Sequence, residues 1–113
     1  MARYLCLQRA VPGNSAQGKP SATQMQEMYD AFQRWRARFE GNLTDIGGGL
    51  GQGRLVTEQQ PAPDGPLVEV KELVGGYMIV TAGNLEEAIE VARACPGLVR
   101  PGSGVEVIEI REL

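Results

Sequence analysis

The side chains of this 113-residue chain best equipped for chemistry lie in residues 64–77, DGPLVEVKELVGGY. Asp64, Glu69, Lys71 and Tyr77 offer two carboxylates, an ammonium and a phenol in one short stretch. On a strand, period-two alternation puts Glu69 and Lys71 on one face with Leu67 and Leu73, while Glu72 points away with Val68 and Val70. A lysine beside two carboxylates stays charged, so its task there is to fix an anion rather than to act as a base. Tyr77 is a neutral proton donor and follows Gly75-Gly76, a pair that lets a ligand or another backbone come close. The same residues also have a plainer reading. Asp64-Gly65-Pro66 is a turn in which Asp bonds the backbone, Gly takes a positive φ and Pro sets the exit. Glu69 and Lys71 are then an ion pair on a wet hairpin face, contributing well under ~1 kcal/mol. Tyr77 would serve an interface hydrogen bond.

Histidine is absent from the chain. Ser-His-Asp and Cys-His catalysis are therefore excluded, as is imidazole as proton shuttle or metal ligand. Acid–base work must rest on Asp, Glu, Lys, Tyr or Cys. Cys6 and Cys95 are too far apart in sequence to fill a tetrahedral zinc site alone, and each sits in an apolar run. They read as reduced, buried small hydrophobes. The run IGGGLGQG (46–53) invites comparison with a phosphate loop but has no G-x-G-x-x-G register and no Gly-Lys-Ser/Thr. No helix follows it either, so it reads as a flexible strand end. Neither a metal nor an organic cofactor is expected.

Composition is that of an ordinary globular chain: 42% apolar, 22% charged, net charge −3. Its length suits one core, and a mild acidic balance favours neither nucleic acid nor an anionic membrane. No stretch approaches the ~20 apolar residues of a membrane span. The N-terminal apolar run, Tyr4–Leu7, is too short for a secretory h-region. A cytoplasmic location is expected.

The elements that must position the candidate residues follow from periodicity. Residues 3–8 (RYLCLQ) form a strand with apolar side chains on both faces. Ser21 caps a helix with Gln24 completing a capping box. Met25, Met28, Phe32, Trp35 and Phe39 then make one apolar stripe over about 18–20 residues, ending near Gly41. The stripe reads as core, and Trp35 can also line a pocket. NLTDIGGG is a second strand that breaks up in glycines, and residues 54–58 and 66–73 pair as a hairpin. Residues 76–82 (GYMIVTA) form a strand without polar alternation in its middle. Asn84 caps a second helix with Glu87 at N3, and the stripe Leu85, Ala88, Ile89, Ala92, Cys95 ends at Pro96-Gly97. Residues 105–111 (VEVIEIR) form the last strand.

This order predicts an α+β, ferredoxin-like βαββαβ chain with an extra hairpin, an antiparallel sheet carrying both helices on one face. YLCL and YMIV, apolar on both faces, belong at its centre. The face away from the helices then needs a cover, and a second copy of the chain is the simplest one. A homodimer through the open sheet face is expected.

Across most of its length the chain resembles the YCII-related family, in particular the branch named for an Asp-Gly-Pro-Phe (DGPF) motif. The resemblance is carried by Tyr4-Leu5-Cys6-Leu7, Gln24-Met25 through Trp35, Asp64-Gly65-Pro66 with Glu69, Lys71-Glu72 and Gly75-Gly76-Tyr77, Leu85-Glu86-Glu87-Ala88 with Cys95-Pro96, and Ile108-Glu109-Ile110-Arg111. It implies one YCII/DGPF-like domain over 1–113, folded as a subunit of a dimeric α+β barrel. Leu67 stands where the motif has Phe, and without His the chain lacks the His–Asp pair proposed as catalytic elsewhere in the family. Fold relatives include cofactor-independent isomerases, dehalogenating lyases and monooxygenases that hold small organic molecules between sheet and helices. The resulting expectation is a homodimer that binds a small anionic or aromatic molecule without a cofactor, through Asp64, Glu69, Lys71, Tyr77 and Trp35. The alternatives are a cofactor-independent isomerase or lyase using Asp64, Lys71 or Tyr77, and a non-catalytic partner subunit.

Overall fold

The computed structural model describes residues 1–10, 21–53, 56, 58 and 74–112. Its elements are β1 (Ala2–Ala10), α1 (Ala22–Arg38), β2 (Leu43–Gly49), β3 (Val74–Ala82), α2 (Leu85–Ala94) and β4 (Ser103–Ile110). The strands form one antiparallel sheet in the order β2-β3-β1-β4. This is the ferredoxin-like arrangement, with the two doubly apolar strands, β1 and β3, at the centre. The hairpin expected from 54–58 and 66–73 lies outside the described residues, apart from Val56 and Glu58.

Local sequence explains both helix starts. The Ser21 hydroxyl accepts from the Gln24 N–H at 3.1 Å, and the Gln24 side chain accepts from the Ser21 N–H at 2.8 Å, a complete capping box. Asn84 Oδ1 accepts from the Glu87 N–H at 2.8 Å. The Glu87 carboxylate reaches one residue further back than a capping box would, to the Gly83 N–H at 2.8 Å. Asn42 donates from its amide to the Thr81 carbonyl and to Glu87, tying the start of β2 to the end of β3 and the first turn of α2.

The core lies between the sheet and the helices. Tyr4, Cys6, Met78, Val80 and Ala82 point into it from β1 and β3. Ala88, Val91, Ala92 and Cys95 meet them from α2 and its C-cap, and Trp35 and Phe39 from α1. Ala88 and Ala92 have no exposed surface, and their small size lets α2 sit close on the sheet. The alternate residues of β1 and β3, namely Leu5, Leu7, Tyr77 and Ile79, face the side without helices and are half-buried.

The apolar stripe of α1 is buried only over its second half. Met25 is 59% and Met28 46% exposed, against the expectation that both are core. Spacing marks a helix face, but which turns of that face meet the sheet depends on where the sheet lies. Here Trp35 and Phe39 are buried, Phe32 is partly so, and Met28 reaches only the turn after α2, with its Cε 3.5 Å from where a Cβ would stand on Gly97.

A candidate functional site

A cleft of about 190 Å³ opens between the sheet and the helices at the end where β2 and β3 are rich in glycine. Phe32 and Trp35 of α1 and Cys95 and Leu98 after α2 line it from above. Its floor follows strand pairing. Gly49, Gly76, Gln8 and Val105 form one cross-strand row, and Met78 and Cys6 form part of the next. Half of the first row has no side chain, so the floor is hollow there. That is the physical origin of the cleft.

Two irregularities bring the glycines into register. Gln8 pairs with Gly76 and Arg9 with Val74, which leaves Gly75 as the extra residue of a bulge in β3. On the other edge β2 advances from Leu43 to Gly48 while β3 moves only from Val80 to Tyr77. Gly47 takes up part of that excess at φ 74°, its N–H bonded to Asp45 Oδ1 at 2.8 Å. A Cβ on Gly47 would stand 1.8 Å from the Tyr77 carbonyl oxygen, so only glycine fits. Residues 47–49 thus remain within the paired strand, where the sequence suggested a strand that breaks up in glycines.

The cleft is mostly apolar. The Trp35 ring lies 5.4 Å from Phe32, tilted by 36°, and is anchored by its indole N–H, which donates to the Val91 carbonyl at 2.9 Å. Burial pushes the Cys6 thiol up to about 11. Burial first, and then the neighbouring Cys6, push Cys95 to about 11 as well. Both cysteines are free, and as neutral thiols at pH 7 they are poor nucleophiles. Among the described residues no group of three His, Cys, Asp or Glu side chains could hold a metal ion.

The polar group of the floor is Gln8. Its Nε2 donates to the Ser103 hydroxyl at 3.5 Å, and that hydroxyl donates to the Leu98 carbonyl at 2.9 Å. Because the Ser103 proton is committed to Leu98, Ser103 must accept from Gln8, which fixes the carboxamide with its nitrogen towards β4. Gln8 Oε1 consequently faces the glycine wall, 3.5 Å from a Cβ position on Gly76 and 3.8 Å from one on Gly75.

Of the candidate residues, Trp35 and Tyr77 both border this cleft. Met78 points at the helices, so alternation turns the Tyr77 side chain to the other face, and Tyr77 gives the cleft its main chain. Asp64, Glu69 and Lys71 lie outside the described residues. Sequence reasoning did not single out Gln8, although its place two residues after Cys6, on the same strand face, could have marked it.

Among the described residues no helix is long and apolar enough to cross a membrane. No curated protein matches the chain. The family model of the YCII-related domain matches residues 2–113, so the chain belongs to the YCII-related family.

Proposed function

We propose that this protein binds a small aromatic molecule, without a cofactor, in the cleft between sheet and helices of a homodimer. The observation that carries the reading is the cleft itself. Its ~190 Å³ are lined by Phe32, Trp35, Ile46, Met78, Leu98 and Val105, with one carboxamide among them. An apolar cavity of ~150 Å³ already accepts a benzene ring, and ligand sites combine such walls with a few fixed polar groups. The two thiols, held neutral, favour binding over covalent catalysis.

The dimer part of the proposal rests on the helix-free sheet face. Leu5, Leu7, Tyr77 and Ile79 are joined there by Ile108, which is 39% exposed. Arg9 pairs with Glu106 at 2.7 Å at one end of the sheet, and Arg3 with Glu112 at 3.6 Å at the other. An apolar centre within a charged rim is the anatomy of a protein interface, and a twofold axis through it would let one face cover its own copy.

The test is titration with toluene and with phenol above its pKa, followed by the Trp35 indole N–H and the Met78 methyl resonance. Saturable shifts at both positions are expected with toluene. Shifts confined to the outer surface would overturn the reading. Lys71→Met serves as the control for an anion subsite, because loss of phenolate binding with toluene binding retained would place that lysine at the ligand. Turnover of a bound ligand, abolished in Asp64→Asn or Lys71→Met, would move the reading to a cofactor-independent isomerase or lyase.

A further inference from the structure

We infer that Gln8 is the recognition group of the cleft and that its ligand is an uncharged ring carrying an amide-like edge, a donor and an acceptor side by side. This inference rests on the binding reading above and names the chemistry the site would select.

The direction of the carboxamide is set by its partners on β4 and after α2. One N–H of Gln8 Nε2 is held by Ser103, whose own proton goes to Leu98. That chain turns Oε1 towards Gly75 and Gly76, and Ser103 uses only one of the two N–H donors of Nε2. A carboxamide carries an acceptor and a donor on one edge, and Gln8 lines the cleft beside Gly75 and Gly76, which bring no side chain of their own. A primary amide, lactam or similar group meets that edge with two complementary hydrogen bonds. A carboxylate of the same shape offers only acceptors, and one of its oxygens would face Oε1. Against apolar walls such a mismatch leaves a charge desolvated and a polar group unpaired, which discriminates strongly.

Electrostatics agree with the geometry. The described residues lining the cleft include no ionised side chain. Phe32 and Trp35 supply the faces against which the ring of the ligand would pack.

Benzamide and benzoate are nearly isosteric and differ in charge and in the donor, so they separate the two chemistries, and toluene reports on the apolar cavity alone. Titrations of the intact protein at pH 7, read at the Trp35 indole N–H, are expected to give benzamide a dissociation constant at least tenfold below that of benzoate. Gln8→Met keeps the length of the side chain and removes its polar edge. It should weaken benzamide tenfold or more and leave toluene unchanged. Benzoate binding as tightly as benzamide, or an unchanged benzamide-to-toluene ratio in Gln8→Met, would overturn the inference while the cavity reading stands. If none of the three probes shifts the Trp35 signal, the cavity reading falls and the role of Gln8 falls with it.

Discussion

The indole N–H of Trp35 donates to the main-chain carbonyl of Val91 at 2.9 Å, joining the two helices beside the cleft. Val91 lies in the last turn of α2, and the Cys95 N–H, which would otherwise close the helical bond to it, goes to Ala92 at 3.2 Å. Trp35 thus satisfies a carbonyl that the helix end leaves open. Trp35→Phe keeps most of the apolar ring but leaves that buried oxygen without its donor, so the expected loss of stability is about 2–3 kcal/mol. Urea unfolding followed by circular dichroism, which does not depend on the lost fluorophore, measures it.

Gly47 carries the bulge that brings β2 alongside Tyr77. With φ at 74° and the Tyr77 oxygen 1.8 Å from any Cβ, Gly47→Ala must break the local pairing of β2 with β3. A loss of at least about 2 kcal/mol is expected, with faster amide exchange concentrated on β2. Gly41→Ala is the matched control, because nothing lies within 4 Å of its Cβ position, and it should leave both readings unchanged.

How far the sequence reaches can be judged from these same elements. Ser21 with Gln24 and Asn84 with Glu87 announce helix starts because capping is a local matter of a few residues. Tyr4–Leu7 and Tyr77–Val80 announce central strands because a strand flanked on both sides carries apolar side chains without polar alternation. The cleft follows a different logic. It exists because Gly49, Gly76 and Gln8 fall in one row, and that register depends on bulges at Gly47 and Gly75 in strands distant in sequence. Gln8 looks like any polar residue near a strand end until the row is known. The extent of the α1 stripe fails for a related reason: Met25 and Met28 share the face of Trp35 but not its contact with the sheet.

Neighbouring residues of β3 separate the core from the proposed interface. Val80 has no exposed surface and faces the helices, whereas Ile79 is half-buried on the helix-free face. Val80→Glu places an unpaired carboxylate in the core, and a loss of at least about 3 kcal/mol is expected. Ile79→Glu should instead leave the chain folded and part the two copies. Light scattering at micromolar concentration is expected to show about twice the 12.2 kDa chain mass for the wild type and the single mass for Ile79→Glu. A wild-type monomer would remove the dimer from the proposal.

The two thiols of the cleft make stability depend on alkaline pH. Each has its pKa raised from an ordinary 9.0 to about 11 in the folded chain. A folded-state pKa above the unfolded one means that the native state holds its proton more tightly. The resulting stabilisation is complete below pH 9 and is lost as pH rises through 11. Between those limits the unfolded chain gains by ionising thiols that the native chain keeps neutral. Midpoints of urea unfolding should therefore fall from about pH 9 to 11 more steeply in the wild type than in Cys6→Ala/Cys95→Ala. Comparison of the slopes isolates the contribution of the two thiols. The same burial predicts two free thiols per chain that react slowly with a disulfide reagent at pH 8 and at once after denaturation. Parallel slopes in the two proteins, or immediate reaction of the native thiols, would show that Cys6 and Cys95 are not shielded as the packing of the cleft requires.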